Sequence, residues 1–257
     1  MKIGIITDIH ENVKILEETL RKAEENKCDE LACLGDIVGF DTRFYDNSIE
    51  RCAKSCVELI ESNFRWVVAG NHDLNSVSRF PSWSNGFEYP ENWFMIQTDE
   101  RKLLADGKVW TYEFDSPNNL TEKEREFLEK IPEYIIPELE GNRILFSHYI
   151  YPDFTGSTTI YAERNIQIRK HWDFMNSNMV KVSLIGHSHS NFAGFAYKNQ
   201  GLSVKAFHSI PNNDFLLGDD SVVVLLPPLS GDRGKTGFTI YDTATRRLSL
   251  IHTGISN

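Results

Sequence analysis

The stretch RWVVAGNHD (residues 65–73) decides how the chain is read. An apolar run rich in β-branched residues stops at Gly70. Asn71, His72 and Asp73 follow, three adjacent side chains able to bind a cation or move a proton. The run 65–70 reads as a buried strand, and neighbours in an extended segment face opposite ways. On that geometry the three side chains cannot all face one way, and the residues alone leave open whether they share one task or divide it.

Working outward, the same pattern recurs. KIGIIT (2–7) and ELACLG (30–35) are short apolar runs that end in polar residues. NVKILEETLRKAEEN (12–26) places Val13, Leu16, Leu20 and Ala23 on one helical face. A second helix is expected over 47–62. This β-α-β-α-β alternation predicts a parallel sheet, whose sites gather where the strands end. Asp8, Asp36 and Asn71 each fall just past such an end.

Further on, residues 80–114 hold nine aromatics, against 12% over the whole chain. That density predicts a cap with its own hydrophobic cluster, or rings (Trp83, Phe87, Trp93) that line a site and stack on a base or aryl ester, or a dimer surface. TEKEREFLEKIP (121–132) opens with a Thr-x-x-Glu capping box and stops at proline. EYIIPEL and NRILFSH flank Gly141-Asn142 and read as a hairpin. A helix over 159–175 and a strand over 182–187 are expected next. The last 65 residues are β-rich, with a hairpin over 192–208 around Gln200-Gly201. With no linker or repeat, the expectation is one domain over 1–257 with two sheets and a cap-like insertion at about 75–130.

Bulk properties narrow the function. The balance of 27 Lys and Arg against 37 Asp and Glu gives −10. That disfavours a long nucleic acid as partner, but not a small phosphorylated substrate, because a metal supplies local positive charge. There is no apolar run of about 18 residues, so no membrane span is expected. The opening MKIGIITDIHEN turns polar too early for a secretory signal, which favours the cytoplasm. Cys28, Cys33, Cys52 and Cys56 lack CxxC spacing and read as reduced thiols.

The residues able to bind a metal after a strand are Asp8, His10, Asp36, Asn71, His72, His148, His187 and His189. Each alone is common. Together, at five strand ends, they resemble the calcineurin-like metallophosphoesterase superfamily, whose pattern runs D-x-H, GD, GNH plus an acid, H, and GHxH. Here these are Asp8-x-His10, Gly35-Asp36, Gly70-Asn71-His72-Asp73, His148 and Gly186-His187-x-His189. The resemblance implies an α/β fold of four layers, an α-β-β-α sandwich with two mixed β-sheets. It also implies a metal-dependent phosphoesterase that cleaves a small phosphodiester or phosphomonoester, nucleotides among the candidates, by a metal-bridging hydroxide. Asp8, His10 and His189 would hold one metal and Asn71, His148 and His187 the other, with Asp36 shared. His72, no ligand, would face the leaving group, with Asp73 as its candidate partner. The mixed nitrogen and oxygen donors suit two divalent ions of manganese, iron or zinc.

The resemblance is closest to a bacterial and archaeal phosphodiesterase-like group. Serine/threonine protein phosphatases and dinucleoside-tetraphosphate hydrolases, the alternative readings, extend the second motif to GDxxxRG with Asp or Asn before the arginine. Here Gly39 and Phe40 stand at those two positions, which removes the usual partner of the catalytic histidine and leaves Asp73 or Asp41. Glu11 follows the first motif in place of the usual glycine and is expected to add negative charge near the site. Arg233, near a late turn that also holds Pro228 and Ser230, is a candidate phosphate clamp. His171 and His208 read as structural. A non-catalytic metal-binding scaffold is the remaining alternative; the complete ligand set argues against it.

Overall fold

The structure is a computed structural model that describes residues 1–43, 45, 50–190, 193–201, 203–209, 213–231 and 236–253. Arg233 lies outside the described residues. The strands are β1 (Lys2–Ile6), β2 (Glu30–Cys33), β3 (Trp66–Val67), β4 (Tyr134–Ile135), β5 (Glu138–Leu139), β6 (Asn142–Ser147), β7 (Val182–Ile185), β8 (Gly194–Tyr197), β9 (His208–Ser209), β10 (Asp214–Leu216), β11 (Val222–Leu225), β12 (Gly237–Asp242) and β13 (Arg247–His252). The α-helices are α1 (Val13–Glu25), α2 (Ala53–Asn63), α3 (Asn71–Ser76), α4 (Thr98–Ala105), α5 (Glu122–Lys130) and α6 (Arg169–Ser177).

Two mixed sheets result. The first runs β10-β13-β12-β1-β2-β3 and the second β4-β6-β7-β11-β8-β9, with β5 beside β6. In the first, β1, β2 and β3 are parallel while β12 joins β1 antiparallel. In the second, β6, β7 and β11 are parallel. Ile3, Ile5, Leu34 and Val68 of the first half pack against Phe146, Leu184 and Val224 in one buried cluster between the sheets. A second cluster unites Leu16, Val57, Ile60 and Leu128 of α1, α2 and α5 with Ile6, Cys33 and Ile240 of the first sheet. A third sets Trp172 and Met175 of α6 against Leu145, Ile185 and Val223 of the second. Helices therefore cover both outer faces, which is the expected α-β-β-α sandwich.

Local sequence explains the ends of these elements. Asn12 caps α1 by accepting from the Ile15 N–H at 3.2 Å. The Thr121 N–H donates to Glu124 at 2.8 Å, the predicted capping box of α5. The β5–β6 hairpin turns on Glu140 and Gly141, both with positive φ, 50° and 77°, the backbone a two-residue hairpin requires. The turn pair is thus Glu140-Gly141, one residue earlier than Gly141-Asn142.

Two expectations fail together. Residues 159–164 are not helical: helical structure begins as a 3-10 turn at Asn165–Ile168 and continues into α6. The segment 163–165 instead pairs with 204–206, through Ala206 N–H to Glu163 O (2.8 Å) and Asn165 N–H to Val204 O (3.1 Å). That pairing uses the backbone that the expected 192–208 hairpin needed, so β9 shrinks to two residues opposite β8. The strand 65–70 is also shorter than predicted. It ends at Val67, and Asn71 opens α3.

The aromatic stretch of the expected cap-like insertion packs on itself. Phe87, Trp93, Ile96, Ala105 and Val109 make a separate buried cluster, with Tyr89 and Phe94 against it. No helix among the described residues is long and apolar enough to cross a membrane. All four cysteines are free thiols.

His171 is structural, as expected. It is fully buried, accepts from the Tyr151 N–H at 2.8 Å and donates to Ser183 Oγ at 2.9 Å. Burial pushes it down to about 3. Below the ordinary imidazole value the unfolded chain takes up a proton that the folded one refuses, so this contribution is full above about pH 6.5 and falls as the pH drops toward 3. His171→Gln should remove it. Urea unfolding at pH 7 and pH 5 should show the wild type losing about 2 kcal/mol more than the variant between the two; equal losses would contradict the assignment.

Candidate active site

The site lies at the carboxyl ends of five strands. Asp8 and His10 follow β1, Asp36 follows β2, Asn71 and His72 follow β3, His148 follows β6, and His187 and His189 follow β7. Five of these residues, Asp8, His10, Asp36, His187 and His189, have left-handed backbone, with φ between 44° and 70°. Such conformations are costly for residues other than glycine and cluster at functional sites.

The side chains converge in two groups that share Asp36: Asp8, His10, Asp36 and His189, and Asp36, His148 and His187. Within each group the ligand-capable atoms lie within 4.8 Å of one another. His189 Nε2 is 3.1 Å from Asp8 Oδ1, and His148 Nε2 is 3.1 Å from Asp36 Oδ2. Asn71 Oδ1 is 3.1 Å from His187 Nδ1, which places it beside the second group.

Hydrogen bonds at the far ring nitrogens orient the imidazoles. His10 Nδ1 donates to Gly39 O at 2.6 Å and His148 Nδ1 to Leu34 O at 2.7 Å, so each Nε2 presents a lone pair inward. Asp8 Oδ1, His148 Nε2 and His187 Nε2 are buried without a hydrogen-bond partner. Buried acceptors left unpaired are costly, and cations at the two groups would satisfy them. The donor set therefore fits divalent metals.

Electrostatics point the same way. Burial opposes the charge on Asp8, but His189 and His10 overcome it and hold the carboxyl well below its usual range. Without cations, Asp36 raises His148 to about 9 despite burial, and a cation beside Asp36 would displace that proton and take the Nε2 lone pair. Only Asp8 and Asp36 are anionic among the seven candidate ligands, so two divalent cations would leave a surplus of positive charge for a phosphate.

His72 stands outside both groups. Its Nδ1 is 2.7 Å from Asp115 Oδ2, a residue of the cap. Burial lowers the imidazolium, but Asp115 and Asp36 outweigh it and push it up to about 10. The expected partners are elsewhere. Asp73 turns its carboxylate to four backbone N–H groups, those of Asp36 (2.8 Å), Ile37 (2.9 Å), Gly70 (3.0 Å) and Val38 (3.1 Å). Asp41 is paired with Arg43. Asp73 is thus a clamp between two loops, not the holder of His72. The physical reason is helical: Asp73 is the third residue of α3 and closes its N-terminus, while His72 projects from another face of the same turn.

Gly39 is explained by the same geometry. It has φ +84°, and a Cβ there would lie 2.4 Å from His72 Cβ and 2.5 Å from its Nδ1. The ring occupies the space a side chain would need, and the acid that holds it is Asp115 instead. Gly70 is equally constrained, since a Cβ would meet Asp36 Oδ1 at 2.1 Å. Glu11, expected to add negative charge near the site, is buried there, accepts from the Gly39 N–H at 3.2 Å and faces Arg51 at 3.6 Å. Tyr45, which no motif singled out, places its hydroxyl 3.1 Å from His189 Nδ1.

The sequence profile of the calcineurin-like phosphoesterase superfamily domain matches residues 1–202. The chain belongs to this superfamily. It is 26% identical over 185 residues to the uncharacterized protein MJ0912 of Methanocaldococcus jannaschii, a match spanning 68% of this chain and 64% of that protein. Among solved structures it is similar to a metallophosphoesterase from Sphaerobacter thermophilus, with TM-score 0.69 and 20% identity over 98% of this chain and 87% of the other. It is also similar to the protein PH1004 of Pyrococcus horikoshii, with TM-score 0.58 and 16% identity over the same shares. Both likenesses support the superfamily's sandwich. Membership supports hydrolysis of phosphoesters, and the candidate ligand clusters support metal binding.

Proposed function

We propose that the chain hydrolyses a small phosphoester with two divalent cations, held by Asp8, His10, His189 and Asp36 on one side and by Asn71, His148, His187 and Asp36 on the other. The observation that carries this reading is the pair of ligand groups sharing Asp36 beside an imidazole that belongs to neither and is held by Asp115. When bound, the cations supply an activated water and neutralise charge on the phosphate.

The chain's own residues do the rest. Asn71 offers a neutral oxygen and so preserves the positive surplus that draws in the anion. Asp115 fixes the His72 ring through Nδ1, leaving Nε2 to give a proton to the departing alkoxide. Cations bound at Asp36 would offset that carboxylate's pull on His72 and bring the imidazolium back toward neutrality, where donation is easier. Manganese, iron and zinc all fit the mixed donors. The cytoplasm remains the expected setting, with a small phosphoester rather than a long nucleic acid as partner.

The test is hydrolysis of bis(p-nitrophenyl) phosphate by metal-free protein reloaded with manganese, iron, zinc, cobalt or nickel. Activity should return with at least one metal at about two ions per chain; silence with all five would sink the proposal.

A further inference from the structure

The cavity above the ligand groups is large, about 760 Å³, a size that holds drug-like organic molecules rather than a bare phosphate. Its floor is His10, Asp36, Asn71 and His187. The rings on its walls are not the ones the aromatic stretch first suggested. Phe87 and Trp93 are consumed in the cap's own cluster, and Trp110, Tyr112 and Tyr161 line the cavity instead.

These three rings are joined to the site. Tyr161 stacks on His187 with centroids 5.2 Å apart and planes 13° from parallel, and Trp110 meets the Tyr161 edge at 6.3 Å. Tyr112 packs edge-on against His72 at 5.2 Å. The support is rigid. Ala105 and Val109 belong both to the cavity wall and to the buried cap cluster, and the Trp110 N–H is tied to Ser157 O at 3.2 Å. Tyr161 is 40% exposed, a large share for a ring beside a buried polar site. The outer charges of the cavity are matched among themselves, Arg43 with Asp41 and Lys102 with Glu113. Recognition there falls to the aromatic faces.

We propose that Trp110 and Tyr161 form a subsite for a flat aromatic ring carried by the phosphoester, so that the substrate is an aryl or nucleobase-bearing phosphate and not an alkyl one. This rests on the phosphoesterase reading above and adds the class of organic group. Stacking on such a wall is tolerant of ring identity because every ring offers a π-face.

Calorimetric titration of the manganese-loaded protein with methyl phosphate, phenyl phosphate and adenosine 5′-monophosphate tests it. The three share the phosphomonoester anion; phenyl phosphate adds an aryl ring, adenosine monophosphate adds a ribose and a base, and the alanine variants separate a base contact from a ribose contact. Phenyl phosphate, adenosine monophosphate or both should bind about tenfold tighter than methyl phosphate. A gain for the nucleotide alone assigns the wall to a nucleobase, and a gain for phenyl phosphate alone assigns it to an aryl ester. Trp110→Ala and Tyr161→Ala should each erase most of the gain while methyl phosphate binds as before, and Trp110→Phe should retain part of it. Melting curves check that the variants fold. Equal affinity for all three ligands in the wild type, or a gain that survives both alanine variants, overturns the subsite. Failure of the phosphoesterase reading shows separately, as absent hydrolysis of bis(p-nitrophenyl) phosphate.

Discussion

His72→Ala should lower turnover by about 100- to 10,000-fold, the range a positioned proton donor contributes, and leave metal content unchanged. The ring belongs to neither ligand group, and its Nδ1 is engaged by Asp115 at 2.7 Å. Its loss therefore removes a proton source without removing a ligand. The deficit should grow with the pKa of the leaving group: small for p-nitrophenolate, which departs unaided, and full for an alkoxide. Asp115→Asn should reproduce part of the loss by releasing the ring. Parallel metal analysis and turnover of aryl and alkyl esters decide the matter. If metal departs with the side chain, or if both leaving groups suffer equally, His72 does not act as the proton donor.

Asp73→Asn should have the largest effect on stability. The carboxylate is fully buried and takes two N–H groups on each oxygen. An amide presents N–H where two of those donors point, and each unpaired buried donor costs about 1–3 kcal/mol. One effect runs the other way. Burial and the neighbouring Asp36 push the Asp73 carboxyl up to about 7 despite its four hydrogen bonds, so removing its charge relieves some repulsion. Cations at Asp36 would neutralise that repulsion in the wild type already, which makes the metal-loaded protein the place to measure. There the variant should lose about 2–5 kcal/mol, a drop of roughly 5–15 °C in melting temperature. It should also bind metal more weakly, since the clamp sets the backbone of Asp36. An unchanged melting temperature would show that the four contacts carry little.

The sandwich was legible because strand ends, helix faces and caps are local signals. Apolar runs that stop at Asp8, Asp36 and Asn71 needed no distant information, and neither did the capping box at Thr121. The candidate ligands were legible for the same reason, since each stands within four residues of the end of such a strand. What stayed hidden depended on contacts between distant segments. Asp115 follows an aromatic stretch with no motif around it, and only the fold brings it to His72, 43 residues earlier. The pairing of 163–165 with 204–206 converted an expected helix start and an expected hairpin into one extended contact. The rings of the cavity wall could not be told from those of the cap core, because both lie in the same 80–114 stretch or, like Tyr161, beyond it.

The left-handed backbone at Asp8, His10, Asp36, His187 and His189 sets natural selection against the folding free energy. Glycine at His10 or His189 would relax the main chain by about 1 kcal/mol and at the same time delete an imidazole from a buried polar cluster. That relief would partly offset the packing and hydrogen bonds such a descendant loses. A screen for stability alone would therefore penalise the loss less than burial implies, and a screen that scores turnover would reject it outright.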